Sequence, residues 1–165
     1  MFSGIVEEFA TVVAIINDRE NIDFTLECSF VKELKIDQSV AHNGVCLTIV
    51  RLLDANGREV KAGDPSVCRY VVTAMKETLM RSNLGDWNVG TKVNVERSMM
   101  MNGRLDGHIV QVHVDQTAVC VSKVDQGGSW TCRFQYTFDK EMARRGYITV
   151  DKGSVQVFRP YYLSF

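Results

Sequence analysis

Proline is scarce in this chain. Only Pro65 and Pro160 occur in 165 residues, so no proline-rich linker marks a domain boundary. An excess of one charge is also missing. The 19 basic and 20 acidic residues leave a net charge of −1, which removes the electrostatic case for a nucleic-acid or membrane-surface partner. No apolar run reaches the length of a membrane span. The start, Met1-Phe2-Ser3-Gly4-Ile5-Val6-Glu7-Glu8, has no basic region ahead of its apolar residues and soon turns acidic, unlike a secretory leader. Cysteine is limited to positions 28, 46, 68, 120 and 132, an odd number without C-x-x-C spacing. That argues against a disulfide framework or a zinc site and for reduced thiols in a cytoplasmic protein. No G-x-G-x-x-G, Walker-type loop or G-x-S-x-G occurs, so the common dinucleotide, phosphate-binding and hydrolase signatures are absent.

What is present is short alternation. Thr11 to Ile16 is rich in β-branched residues, and Ile22 to Cys28 alternates apolar and polar positions. Further strands are expected at 45–52, 70–74, 92–97, 109–114, 117–121 and 130–136. Phe30 to Leu34 reads as a helical turn and Lys76 to Gly85 as a short helix ending near Asn83 or Gly85; Asp139 to Arg144 is another short helix. Asp54-Ala55-Asn56-Gly57 opens an extended surface hairpin or loop over 54–69. The turn-rich Asn102-Gly103-Arg104-Leu105-Asp106-Gly107 is the best candidate boundary. Many short strands and few helices imply an all-β barrel or sandwich. Gly4 to Ala10 can be laid over Val112 to Ala118, a faint echo of the kind two copies of one unit leave.

The central stretch is Ser39-Val40-Ala41-His42-Asn43-Gly44-Val45-Cys46-Leu47-Thr48. It reads as a small polar turn followed by a strand. Asn43-Gly44 tolerates positive φ and lets the chain reverse. Beyond it Val45, Leu47 and Ile49 point one way and Cys46 and Thr48 the other, placing a thiol and a hydroxyl on the face away from the apolar row. His42, beside the turn, reads as structural. Cys46 reads as a lining thiol rather than a covalent nucleophile, because no base stands beside it in sequence.

Together with Lys76-Glu77-Thr78-Leu79, Ser82-Asn83-Leu84-Gly85, Val93-Asn94-Val95-Glu96-Arg97 and Gly103 to Gln111, these stretches resemble riboflavin synthase of the α type, in family order over roughly residues 1–157. The resemblance implies an all-β fold with a closed Greek-key barrel, the N-terminal lumazine-binding barrel over 1–97, and a second barrel over 98–165. It implies the dismutation of two 6,7-dimethyl-8-ribityllumazine molecules into riboflavin and 5-amino-6-ribitylamino-uracil by transfer of a four-carbon unit, with no metal or redox cofactor. It also implies a homo-oligomer, typically a trimer, whose sites form between barrels of different subunits. The family positions carried over as substrate-binding are Gly4, Ile5, Val6, Cys46, Leu47, Thr48, Thr73, Ala74, Met75, Lys76, Glu77, Thr78, Val112, His113, Val114 and Lys152, the last reaching a neighbouring chain. Ser39, Cys46 and His113 are the candidates for polar or proton-transfer roles.

Two departures modify these expectations. The family has glycine where Val112 stands, and a branched side chain is expected to crowd the second pocket. After Val157 the sequence Phe158-Arg159-Pro160-Tyr161-Tyr162-Leu163-Ser164-Phe165 leaves the family pattern, so the second barrel is expected to be incomplete. The alternative to an enzyme is then a lumazine- or riboflavin-binding module without turnover.

Overall fold

In a computed structural model the described residues are 1–100, 107, 109, 112–137, 147–151 and 155–158. Six strands close into a barrel: β1 (Glu8–Asp18), β2 (Asn21–Glu27), β3 (Ser39–His42), β4 (Val45–Leu53), β5 (Arg69–Ala74) and β6 (Lys92–Arg97). Their order around the barrel is β1-β2-β5-β4-β3-β6, every pairing antiparallel. The β2–β5 and β3–β6 neighbours are distant in sequence, which gives the expected Greek-key path. Closure removes the unpaired edges that an open sheet would expose. Bulges between Val12 and Ala14 in β1 and between Ile49 and Arg51 in β4 supply the local bending that closure needs.

Alternation decides the barrel's two faces. Val45, Leu47 and Ile49 are buried inside while Cys46 is half-buried and Thr48 exposed outside, as the sequence pattern requires. Val12, Phe24, Leu26, Val40, Leu52, Tyr70, Val72, Val93 and Val95 fill the same interior. Trp87 packs edge-on against Phe24 with ring centres 4.9 Å apart. Burial of each large apolar side chain stabilises the barrel by about 1.5–3 kcal/mol.

One short segment departs from the sequence reading. Ser39–His42 is a strand rather than part of a polar turn. It pairs with β4 on one side and β6 on the other, and those partners bury Val40, Ala41 and His42. Only Asn43-Gly44 makes the turn, with φ of 48° and 83°, the geometry of a tight two-residue hairpin. Asn43 also clamps the hairpin to β6. Its N–H donates to the Asn94 carbonyl at 2.8 Å and its Oδ1 accepts from the Asn94 N–H at 2.8 Å.

Between β5 and β6 lie helix α1 (Lys76–Arg81) and a 3-10 turn at Leu84–Asp86, where one helix was expected. The break falls at Ser82, whose hydroxyl donates to the Thr78 carbonyl at 2.6 Å and so competes with continued helix. The expected turn at 30–34 is a 3-10 helix over Ser29–Glu33.

Beyond β6, the described residues form strands β7 (Gln116–Thr117), β8 (Val119–Asp125), β9 (Trp130–Gln135), β10 (Tyr147–Asp151) and β11 (Val155–Phe158). They assemble as a three-stranded sheet, β11-β10-β7, and a β8-β9 hairpin. The expected strand over 109–114 is not formed by its described members: Ile109 and Val112 to Val114 are irregular, and Val112 has φ of 60°, which no strand accepts. The connector at 102–106 and the helix expected at 139–144 lie outside the described residues.

Gly107 brings this later segment against the N-terminus. A Cβ there would overlap the Ser3 carbonyl oxygen, a backbone atom with little freedom to yield. Gly107→Ala is therefore expected to lower stability by about 1–3 kcal/mol, read as a drop in melting temperature. An unchanged melting temperature would rule out the close approach.

Candidate functional site

The start of β4, α1 and the segment after residue 111 converge on one cleft of about 410 Å³. Val45 and Cys46 contribute from β4. Met75, Glu77, Thr78 and Arg81 contribute from the start and one face of α1, and Val112, His113 and Val114 close the remaining side. The segments are held together by backbone as well as by side chains. The Cys46 N–H donates to the Val112 carbonyl at 3.2 Å. Phe2, Ala41 and Val112 form a small buried cluster against which Cys46 packs.

That cluster rests on an anchored N-terminus. The buried Glu96 carboxylate accepts from the Ser3 hydroxyl at 2.8 Å and from the Gly4 N–H at 3.1 Å, and also from the Ser3 N–H. Phe2 is thereby fixed beside Val112 and Ala41.

Cys46, Met75, Glu77, Thr78, Val112, His113 and Val114 are thus brought together. Cys46 has its thiol on the outer face, and no hydrogen-bond partner for it is found among the described residues. His113 is exposed along the cleft. Val112 to Val114 stand against the first barrel, beside Cys46, where a separate second pocket was expected.

The other carried-over residues lie elsewhere. Leu47 and Ala74 face the barrel core. Thr48 is outside, paired in register with the half-buried Ser39, and neither lines the cleft. Thr73 donates its hydroxyl to Asp23 at 2.6 Å, and Asp23 also accepts from Arg51 at 2.7 Å. Lys76 turns away to an ion pair with Glu20 at the β1–β2 turn. Gly4 is committed to Glu96, and Ile5 and Val6 are exposed. Lys152 lies outside the described residues.

Two lining residues escaped the sequence reading, Val45 and Arg81. Arg81 follows Glu77 by four positions and pairs with it at 2.9 Å, so helical spacing alone could have found it. The pair sets a charge-balanced dipole at the cleft's rim.

His42 sits inside the barrel, fully buried. Its Nδ1 is 3.0 Å from the Val40 carbonyl, which only accepts, so Nδ1 carries the proton. Nε2 then accepts from the Tyr70 hydroxyl at 3.0 Å. Burial lowers the imidazole pKa to about 4, the Val40 hydrogen bond opposing it only in part. Burial likewise pushes the Tyr70 phenol upward, so it stays a donor. His42 is a satisfied core group, not a member of the cleft.

Residues 3–98 match the family model described as the lumazine binding domain. Riboflavin synthase of Bacillus subtilis (strain 168) is 31% identical over 162 residues, covering 96% of this chain and 69% of that protein. Riboflavin synthase of Mycobacterium tuberculosis (strain CDC 1551 / Oshkosh) is 34% identical over 160 residues, covering 95% of this chain and 74% of that protein. Among solved structures, LumP complexed with riboflavin superposes with a TM-score of 0.67 at 13% identity, over 95% of this chain and 85% of that one. LumP complexed with 6,7-dimethyl-8-(1'-D-ribityl) lumazine gives a TM-score of 0.63 at 15% identity, over 94% of this chain and 72% of that one. At such identities the last two speak for the fold alone.

Proposed function

The chain belongs to the lumazine binding domain family, and from that premise we propose that its Cys46–His113 cleft binds 6,7-dimethyl-8-ribityllumazine and serves riboflavin synthase chemistry. The observation that carries the proposal is the convergence of Cys46, the neighbouring Glu77 and Thr78, and His113, from three stretches far apart in sequence, on one cleft of ligand size.

The reaction needs one lumazine to lose a proton from its 7-methyl group, whose carbanion the ring delocalises. A second molecule must be held as the electrophile. Transfer of the four-carbon unit then gives riboflavin and 5-amino-6-ribitylamino-uracil with no net oxidation, so the protein's tasks are orientation and proton transfer. His113 carries the imidazole of the cleft, a group that can both accept and donate a proton through its two ring nitrogens, and it is assigned that exchange. The apolar lining residues, Met75, Val112 and Val114, suit a flat ring, while the Thr78 hydroxyl and the Glu77–Arg81 pair offer polar contacts for the ring edge or ribityl chain. Cys46 serves as a wall. Ser39, outside the cleft, is assigned no contact with the ring.

The test is incubation of the purified chain with the lumazine, following riboflavin formation, beside a fluorescence titration for binding. Turnover that falls at least tenfold in His113→Ala, with binding retained, supports the assignment. Saturable binding without turnover would make the chain a binding module, and absence of both would end the reading. Cys46→Ser is expected to change the dissociation constant by less than about tenfold, because the hydroxyl keeps the wall's shape. Abolished binding in a folded Cys46→Ser protein would make the sulfur itself essential.

A further inference from the structure

We propose that Val112 is a size gate, its isopropyl group setting how large a fused-ring ligand fits beside Cys46; this rests on the cleft being a lumazine site. The backbone makes Val112 unusual. Its φ of 60° lies in the left-handed region, which β-branched residues rarely enter and glycine enters freely. A residue held in such a conformation must be held by its surroundings, and the holders can be named. Its carbonyl accepts the Cys46 N–H at 3.2 Å, so it cannot swing away from the cleft without breaking that bond. The residue is only 6% exposed and is clustered with Phe2 and Ala41, so its side chain is held against rotation into solvent. It also borders the cleft itself, whose volume of about 410 Å³ is toward the small end for ligand pockets.

In a pocket of that size three carbon atoms matter. A two-ring lumazine is admitted more readily than a three-ring flavin. In the proposed reaction the flavin is the product, so the same restriction favours its release. A merely structural Val112 would affect folding while leaving the preference between the two ligands untouched.

The experiment titrates the full chain and its Val112→Ala, Val112→Gly and Val112→Ile variants with the lumazine and with riboflavin, each protein first shown to be folded by near-ultraviolet circular dichroism. Glycine removes both bulk and backbone strain, alanine only bulk, and isoleucine adds bulk, so volume is separated from conformation and no one variant's folding decides the outcome. The expected result is a lumazine-over-riboflavin preference that declines in the order Ile, Val, Ala, Gly, by about tenfold or more between valine and glycine. Binding gained only after truncation of Val112 would also support the gate. An equal preference in all the folded proteins would overturn it and leave the lumazine reading standing. Failure of every protein to bind either ligand would overturn the lumazine reading, and the gate with it.

Discussion

His42→Ala is expected to destabilise the protein by roughly 3–4 kcal/mol, a large share of the stability of an ordinary domain. The substitution empties a fully buried position between β3 and β5 and strands the Tyr70 hydroxyl, which now donates to Nε2 at 3.0 Å. It also leaves the Val40 carbonyl without its side-chain donor. Tyr70→Phe removes only the hydroxyl and is expected to cost about 1–3 kcal/mol. Urea unfolding of both variants checks the ranking, and a Tyr70→Phe protein less stable than His42→Ala would contradict it. The same group sets a pH dependence. With a pKa near 6.5 when unfolded and about 4 when folded, His42 takes up its proton earlier in the unfolded chain. Stability contributed by the neutral buried ring is therefore complete above pH 6.5 and falls as pH drops toward 4, by on the order of 3 kcal/mol. A His42→Phe variant that folds is expected to lose that slope, whereas an unchanged slope would assign it to other groups.

Glu96→Ala is expected to cost about 2–4 kcal/mol and, unlike the barrel-core change, to weaken ligand binding as well. The Glu96 carboxylate satisfies the Ser3 hydroxyl and the Ser3 and Gly4 N–H groups together. Without it three donors lose their common acceptor and Phe2 loses its tether. Phe2 is buried against Ala41 and Val112, and Val112 holds Cys46 through its carbonyl, so the disturbance reaches the cleft through two direct contacts. Hydrogen exchange at residues 2–4 should rise sharply in Glu96→Ala. Glu96→Gln keeps one acceptor oxygen and should recover part of both stability and affinity. If Glu96→Ala lowers stability but leaves exchange at residues 2–4 unchanged, the tether assignment is wrong.

Much of the barrel was legible because its strands announce themselves locally. Alternation in β2 and β4, β-branched residues in β1, and Asn43-Gly44 between β3 and β4 are properties of neighbouring residues, and neighbouring residues are what a sequence displays. The outward position of Cys46 and Thr48 followed from the two-residue period alone. Ser39–His42 escaped as a strand because its pairing partner β6 lies some fifty residues away, and four residues carry too little periodicity of their own. The candidate site was legible only in part. Lys76 and Glu77 are adjacent in sequence, yet one pairs with Glu20 and the other lines the cleft, because successive helical side chains point about 100° apart. Whether Leu47 and Ala74 touch a ligand or fill a core depends on which face closes inward. The alternation, the turn and the family's ordered motifs were thus determined by the sequence itself. The His42–Tyr70 bond, the Glu96 anchor and the left-handed Val112 were decided only by tertiary structure, because each needs a partner brought from a distant segment by barrel closure.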